Sequence, residues 1–533
     1  MKRFLFFLLI LSLFLRTLWV TRIPSELFGD EIDVGYQAYS LLKTGRDLYS
    51  QPFPLYPKSL SELRLPVLLY STVPSVALLG LNSLSVRLPE VLFGSIAPLI
   101  LFLLVLKVSG KRSLAVFSAI FLAILPWHIH YSRVAFEVVI MLDFIMLGSL
   151  LYLRRSWLLS ALFFALTFYT YSTSIVFVPL LLIGLFVHAK KIPTFIFAIC
   201  FLFLLSPFFY NLYTGSAGSR YQLLSIFKNP DVYKYSIELR NSSKQTLEPV
   251  FHNRYISIGE YFMKNYLSAF STDFLFVRGD PTIRHSFMIS GQLLPIFAPF
   301  VLIGLAALII HKQFFWLYWL TISPIASALT YDGGFHATRL FFMVIPLSIA
   351  TAAGYWHILQ HRKYIWHVLT FVPIIANFVY LSHFYIIHYP KVSWRWWQTG
   401  YQQVFSNLPT GFSKYYINNT YEPSLIRFLF YTKYDPKLFQ SQFTLDQPIK
   451  DISYNYDGFK LGDKYVFGTF SDKVNKYNLG SFLESDILYL VSARDEIPPG
   501  VDWTFDKPAG AEIISQVYSP ENIPLFYLIT KSE

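Results

Sequence analysis

The sequence predicts a mainly α-helical, polytopic membrane protein with a small soluble α/β domain at its C-terminal end. Of the 533 residues, 54% are hydrophobic and only 14% are charged, whereas soluble chains carry about a quarter charged residues. Apolar runs of about 16 to 20 residues recur up to residue 390, roughly the length that crosses a bilayer. The composition then shifts to Asp, Asn, Lys, Gly and Tyr. We therefore predict a membrane domain over 1–390 and an extracytoplasmic α/β domain over 391–533.

Positive charge predicts the orientation. Clusters such as Lys111-Arg112 and Arg362-Lys363 all fall on one side only if the apolar stretch 66–81 lies on the membrane surface. Because positive residues favour the cytoplasmic side, we expect a cytoplasmic N-terminus and about eleven spans in a plasma-membrane protein. The segments placed on the outer face are 23–87, 126–136, 211–290, 331–336 and the C-terminal domain.

Several other classes of protein are excluded. The net charge of +12 does not indicate a nucleic-acid partner, because the cations stand in short clusters between apolar runs. Cys200 is the single cysteine, so no intrachain disulfide forms. The basic start before the first apolar run resembles a signal peptide, but no small-residue cleavage site follows, and an uncleaved first helix is expected.

Two adjacent acids, Asp30 and Glu31, follow the first apolar run, and Asp33 stands close by. Residues 31–44 have a helical pattern, and acids in a first helical turn favour the helix dipole. Capping explains one acid well and three acids less well. Because acids at a membrane boundary are costly, we favour a catalytic or ligand-binding role for the pair.

Cationic residues gather in the predicted outer segments. The turn 126–137 contains Tyr131, Arg133 and Glu137, where Arg133 and Glu137 could pair at i,i+4 spacing or bind substrate. Asp143 follows in the next apolar run, and its role stays open. Further cations are Arg64, Arg284, His285, His336 and Arg339. Arg64 could be a snorkelling anchor. The glycines before His336 and Arg339 suggest a helix N-terminus able to cradle phosphate.

This combination of a carboxylate pair with cations suits transfer of a sugar from a lipid phosphate. The attacking hydroxyl needs a carboxylate base, and the departing phosphate needs positive charge. Both needs are met at the membrane surface, where a lipid-linked donor resides. The acids could also hold a divalent cation, but no ligand spacing requires one, so no metal site or cofactor is assigned.

The ordered set of motifs resembles bacterial members of glycosyltransferase family 39, relatives of protein O-mannosyltransferases and of the aminoarabinose transferase of lipid A. The matching segments run through most of the membrane part: Asp30-Glu31, Arg64-Leu65-Pro66, Val86-Arg87-Leu88-Pro89, Pro126-Trp127-His128 with Tyr131-Ser132-Arg133, Tyr169-Thr170-Tyr171-Ser172, Gly279-Asp280 with Arg284-His285-Ser286, and His336-Ala337-Thr338-Arg339.

The resemblance implies the class C glycosyltransferase fold with a polyprenyl-phosphate monosaccharide as donor. It implies Asp30 as general base, Glu31 as its support, and Arg64 and Arg339 as donor-phosphate ligands. We expect Arg284, His285 and His336 to assist at the phosphate, and Tyr131, Arg133, Glu137 and Tyr171 to bind substrate. The acceptor is a protein, lipid or glycan. Asp33 stands where the aminoarabinose enzymes have an arginine, which favours a mannose-like hexose.

Two alternatives remain. A polysaccharide polymerase or ligase would also handle lipid-linked sugars, although from a diphosphate carrier. A transporter or flippase should show polar residues at mid-membrane and a repeat between halves, whereas here the polar residues collect at one face and no repeat is visible.

Overall fold

The computed structural model describes residues 1–59, 63–189, 195–214, 225–242, 248–360, 362–419, 424–443, 456–470, 474, 478–493, 497 and 502–532. The chain forms two compact units. Unit 1 comprises Met1–Val20, Ser61–Leu68 and Arg87–Ile386, and unit 2 comprises Thr21–Leu60, Leu69–Val86 and Ile387–Glu533. Two N-terminal segments thus belong to the unit that holds the C-terminal sheet, and the division into domains at residue 390 stays a prediction.

Apolar helices dominate unit 1. Its α-helices are α1 (Lys2–Thr17), α5 (Arg112–Ala123), α6 (Pro126–Tyr131), α7 (Val138–Leu153), α8 (Trp157–Phe168), α9 (Ser174–Ala189), α10 (Phe195–Tyr213), α11 (Asp231–Ser242), α12 (Glu248–Phe251), α13 (Arg254–Ser268), α14 (Ala298–Ile310), α15 (Phe314–Ile322), α16 (Ile325–Ala328), α17 (Val344–Leu359) and α18 (Tyr364–Ile387). Two helices pass from one unit into the other, α3 (Pro66–Leu79) and α4 (Ser83–Ser109).

The multi-pass membrane class is confirmed. Within the described residues, four helices are long and apolar enough to cross a membrane by length and composition: Ser83–Ser109, Phe195–Tyr213, Phe341–Leu359 and Tyr364–Ile387. Other apolar helices are shorter, among them α3, α8 and α9. The helices predicted over 156–171 and 173–188 are separate, and the stretch 66–81 is helical. The number of spans and the surface position of α3 stay predictions.

Close helix packing in unit 1 depends on glycine. A Cβ atom on Gly304 of α14 would collide with the Ala350 carbonyl of α17, and one on Gly354 would collide with the Phe300 carbonyl. Small residues let helix backbones approach this closely, which is how apolar helices associate where no hydrophobic effect drives them together.

Unit 2 joins helices to a six-stranded mixed sheet. Its helices are α2 (Gly29–Thr44), α19 (Tyr389–Ser393), α20 (Tyr401–Ser406), α21 (Ser424–Tyr431), α22 (Pro436–Gln442) and α23 (Leu479–Phe482). The strands are β1 (Lys414–Asn418), β2 (Tyr456–Leu461), β3 (Tyr465–Phe470), β4 (Ile487–Ser492), β5 (Ala511–Tyr518) and β6 (Pro524–Lys531), in the spatial order β2-β3-β1-β4-β6-β5.

The sheet confirms the predicted α/β character of the C-terminal region. Strand β1 runs parallel to β3 and β4, and the remaining pairings are antiparallel. All six residues of β4 are buried, as expected for a central strand covered on both faces. In α2, a Cβ on Gly35 would lie 2.6 Å from both Phe430 and Val86. This tight contact explains why α2 belongs to the unit of the sheet.

Candidate functional site

In unit 2, the two candidate acids differ in their surroundings. Both lie in the first turn of α2, the helix predicted from residue 31. Glu31 is fully buried, and its Oε2 accepts a hydrogen bond from the Phe28 backbone N–H at 3.0 Å. Asp30 is only partly buried. Glu31 therefore caps the helix, and Asp30 is the more accessible acid of the pair.

In unit 1, a backbone hydrogen bond joins the segment that follows Arg64 to the turn that contains Tyr171. Arg64 is buried, with 7% of its surface exposed, and stands just before α3. The Val67 N–H donates to the Tyr169 carbonyl at 3.2 Å, which ties the Arg64 segment to the turn that carries Tyr171. Burial of this degree is not typical of a snorkelling anchor, whose head group stays in water.

The side chain of Arg133 donates hydrogen bonds to the C-terminal end of α1. Its guanidinium donates to the carbonyls of Leu15 and Arg16 at 3.1 and 3.4 Å and lies 5.5 Å from the centre of the Tyr385 ring. Residues 132–137 are not helical. Arg133 and Glu137 are therefore not one turn apart on a helix, as the i,i+4 interpretation requires. Arg133 thus stabilises the free carbonyls at the end of α1, a position that favours cations.

Glu137 has an unusual backbone conformation at the start of α7. Its φ of +58° lies in the left-handed region, which residues other than glycine rarely adopt. Backbone strain of this kind clusters at functional sites. Glu137 therefore remains a candidate for substrate binding, because of its backbone conformation as well as its position in the sequence.

The hydrogen bonds of His130 determine which of its ring nitrogens carries the proton. Nε2 lies 2.7 Å from the Arg284 carbonyl, and Nδ1 lies 2.9 Å from the Tyr385 hydroxyl. A carbonyl only accepts, so Nε2 carries the proton and Nδ1 accepts from the tyrosine. Burial lowers the pKa of His130 to about 3, which keeps the ring neutral. The hydrogen bond from Nε2 to the Arg284 carbonyl holds the backbone of Arg284 next to His130.

Asp280 joins the two segments predicted to bind phosphate. Gly279 has a φ of +80°, a conformation that favours glycine. The Asp280 carboxylate accepts the Thr282 N–H at 2.8 Å, the Ala337 N–H at 2.8 Å and a bond from His285 Nδ1 at 3.3 Å. The rings of His285 and His336 are 5.4 Å apart. Residues far apart in sequence therefore converge on one carboxylate.

The charges of this cluster shift its pKa values. Burial opposes ionisation of Asp280, but the hydrogen bond from His285 and the charge of that histidine hold its pKa below the ordinary value. Burial, together with the charges of Arg339 and His285, lowers the pKa of His336 to about 3. Tyr131 belongs to the same region: its hydroxyl lies 2.9 Å from the Thr338 hydroxyl, and burial raises its pKa.

Arg339 is 8% exposed and faces protein, as its cost in lipid predicts. Its guanidinium donates to the Thr330 hydroxyl at 2.7 Å and forms an ion pair with both oxygens of Asp332. The prediction of a helix N-terminus at the glycines before His336 is wrong, because regular helical structure begins only at Phe341. The Ala337 N–H already binds Asp280, so a carboxylate stands where the phosphate was expected.

Some functional candidates carry little sequence signal. Asp280 and Asp332 look like ordinary turn residues, and neither was expected to contact the cations. Arg16 lies inside the first apolar run, yet it is fully buried and donates to His128 Nδ1 at 2.7 Å. Asp143 is fully buried, and neither of its carboxylate oxygens has a hydrogen-bond partner within the described part of the chain. An unusual acid or arginine in an apolar run was the available clue.

No family model and no curated protein matches this chain. Among solved structures, it is similar to the oligosaccharyltransferase AglB from Archaeoglobus fulgidus in complex with an inhibitory peptide and a dolichol-phosphate (12% identity, TM-score 0.45, covering 80% of this chain and 63% of that one). The chain thus spans less than two thirds of that protein.

Two further solved structures are similar. The apo form of the Archaeoglobus fulgidus oligosaccharyltransferase matches with 12% identity and a TM-score of 0.47, covering 100% of this chain and 74% of the other. ArnT from Cupriavidus metallidurans bound to undecaprenyl phosphate matches with 11% identity and a TM-score of 0.41, covering 99% and 97%.

Proposed function

We propose that this chain is a membrane glycosyltransferase that moves one sugar, a mannose-like hexose, from a polyprenyl-phosphate donor to an acceptor hydroxyl at the extracytoplasmic face. The observation that carries the proposal is the convergence of the segments of Arg284-His285 and His336-Arg339 on Asp280. Two arginines and two histidines thus share one region of the predicted outer face, and the arginines carry the positive charge that a leaving phosphate requires.

Each residue has a defined role in the reaction. Asp30 accepts the proton of the acceptor hydroxyl as its oxygen attacks the anomeric carbon. The bond between that carbon and the phosphate oxygen breaks, and its electron pair leaves with the phosphate. Arg64 and Arg339 bind the phosphate, with Arg284, His285 and His336 nearby, while Tyr131, Arg133, Glu137 and Tyr171 position the substrates. Glu31 keeps Asp30 in place by capping α2.

Two features support Asp30 and Arg339 in these roles. Asp30 is the more exposed acid of its pair, whereas Glu31 is already bound to the backbone of Phe28. Arg339 presents a two-pronged donor to a carboxylate, the geometry with which a guanidinium also binds phosphate. Because Asp332 is 51% exposed, an incoming phosphate could take its place.

The test is a transfer assay with purified protein and two donors. A polyprenyl-phosphate monosaccharide should give product, whereas a polyprenyl-diphosphate oligosaccharide should not. Mass spectrometry of co-purified lipid should find the monophosphate carrier. Product from the diphosphate donor alone would instead identify a polymerase or ligase.

A further inference from the structure

Three potential metal ligands converge in unit 1, in the region to which donor-phosphate binding is assigned above. Asp280, His285 and His336 each offer one ligand atom, and these atoms all lie within 4.8 Å of one another. Asp280 and His285 come from one loop, and His336 comes from the segment before α17. Two imidazoles and a carboxylate form a donor set typical of zinc and related metals in proteins.

We propose that Asp280, His285 and His336 form a binding site for a divalent transition-metal ion of the zinc class. Ligand atoms about 2.0–2.1 Å from a tetrahedral metal are about 3.4 Å apart. His285 Nδ1 and Asp280 Oδ2 are 3.3 Å apart, so this pair already has the required spacing. The third ligand atom needs a shift on the order of 1 Å, which side-chain rotation supplies.

The alternative is a plain hydrogen bond between His285 and Asp280, with His336 packed beside it. That arrangement leaves one observation unexplained. His336 Nδ1 is buried and has no hydrogen-bond partner among the described residues. A buried polar atom without a partner is costly, and a metal ion bound to this nitrogen would satisfy it.

The surroundings of Asp280 support ligation. Thr282 and Ala337 N–H groups hold its two carboxylate oxygens, and the Ser286 hydroxyl donates to its carbonyl at 2.7 Å. Gln292 Nε2 donates to the His285 carbonyl at 3.0 Å. Such contacts orient ligands in metal sites. The two imidazoles argue against Mg²⁺ and Ca²⁺, which prefer oxygen ligands.

A bound metal would fasten the 280–285 loop to His336 and add positive charge near Arg339, whose charge acts on His336. Three protein ligands leave a fourth position open to water or to an oxygen of an anion. That this oxygen belongs to the donor phosphate rests on the proposed function; metal binding itself does not. A measurement of metal binding without donor therefore separates the two proposals.

The experiment uses the full chain in detergent, stripped with a chelator and titrated with Co²⁺. One equivalent should bind with the visible absorption of a tetrahedral cobalt site, and excess Mg²⁺ should not displace it. His336→Gln removes a ligand while breaking no hydrogen bond of Nδ1, so it should fold. It should weaken Co²⁺ binding by at least about tenfold. His188→Gln, a histidine of the same unit that packs on Phe315, should bind as the wild type does.

Two further measurements keep the result decisive. Asp280→Asn provides a second ligand variant, and Zn²⁺ should raise the unfolding temperature of the wild type but not of either variant, because only a bound ligand stabilises. Equal Co²⁺ binding in wild type and His336→Gln, or no binding to the stripped wild type, would overturn the proposal. The cluster would then be a hydrogen-bonded loop contact.

Discussion

Glu31 accepts a hydrogen bond from the backbone N–H of Phe28 at 3.0 Å. This bond caps α2, the helix whose first turn contains both candidate acids. The helix-capping interpretation therefore holds for Glu31. Asp30, in the same first turn, is less buried than its neighbour. The two acids of one motif thus divide between a structural contact and an accessible carboxylate.

Asp30→Asn tests the catalytic assignment. The change is nearly isosteric and removes the group that accepts the proton, so turnover should fall by about 10² to 10⁴ while the unfolding temperature stays close to that of the wild type. Both are measured on purified protein. Transfer at the wild-type rate would mean that the base lies elsewhere, with Glu137 as the next candidate.

Glu31 provides the matched comparison. Glu31→Ala loses the cap and should destabilise the protein by about 1 kcal/mol, whereas Glu31→Gln keeps an oxygen acceptor for the Phe28 N–H and should unfold near the wild-type temperature. Neither change should lower turnover as much as Asp30→Asn. A larger loss of turnover in folded Glu31→Gln would assign the proton transfer to Glu31.

Arg339→Ala and Arg64→Ala should weaken donor binding. Each removes a buried guanidinium, and one charge-assisted contact contributes about 1.5–3 kcal/mol, or roughly ten- to a hundredfold in affinity. Arg339→Lys should recover only part of the loss, because an ammonium lacks the two-pronged geometry. Binding is measured with a labelled polyprenyl-phosphate donor.

Asp332→Asn is the matched control for Arg339. The wild-type carboxylate competes with phosphate for the guanidinium, so its neutralisation should leave donor affinity unchanged or raise it. If Asp332→Asn and Arg339→Ala weaken binding equally, the ion pair is structural and Arg339 is not a phosphate ligand.

The sequence predicted the helical class, the C-terminal sheet and α2 because periodicity and composition are local properties. It did not predict the two compact units. That α2 packs with α21 depends on Gly35 meeting Phe430, and contacts between residues so far apart in sequence leave no local pattern.

The cations at 284–285 and 336–339 were likewise identified by their residue types, but their partners were not. Asp280 and Asp332 stand in segments typical of turns, and only the folded backbone shows that Asp280 accepts the Ala337 N–H. Long-range pairing of this kind follows from topology, whereas the expected helix N-terminus followed from a local glycine pattern and does not form, since helical structure begins only at Phe341.

Reporter fusions test the orientation. Because basic clusters favour the cytoplasm, fusions after residues 110 and 362 should report the cytoplasmic side, and fusions after 84 and 240 the outer side. The fusion at 84 decides whether α3 crosses the membrane. With 14 residues, α3 is about 21 Å long, shorter than the hydrocarbon core of about 30 Å. A cytoplasmic result at 84 would show that it spans.

Glu26 is a buried acid of unit 2, with 5% of its surface exposed. Its two carboxylate oxygens accept the N–H groups of Gly400 and Gln402, each at 2.7 Å, at the start of α20. Burial raises the pKa of Glu26 from 4.5 to about 7, although these bonds and the charge of Arg427 oppose the rise. The folded protein therefore holds this proton more tightly than the unfolded chain does.

Stability linked to this proton is complete below pH 4.5 and is lost as the pH rises through about 7. The linkage amounts to a contribution on the order of 3 kcal/mol that disappears between about pH 4.5 and pH 7.5. Glu26→Gln cannot ionise, so its stability should decline less over this range. The exposed Glu512→Gln removes no buried charge and should decline as the wild type does. Thermal unfolding of the three proteins across the range measures the difference, and parallel curves for wild type and Glu26→Gln would show that Glu26 is ionised throughout, held by its two backbone donors.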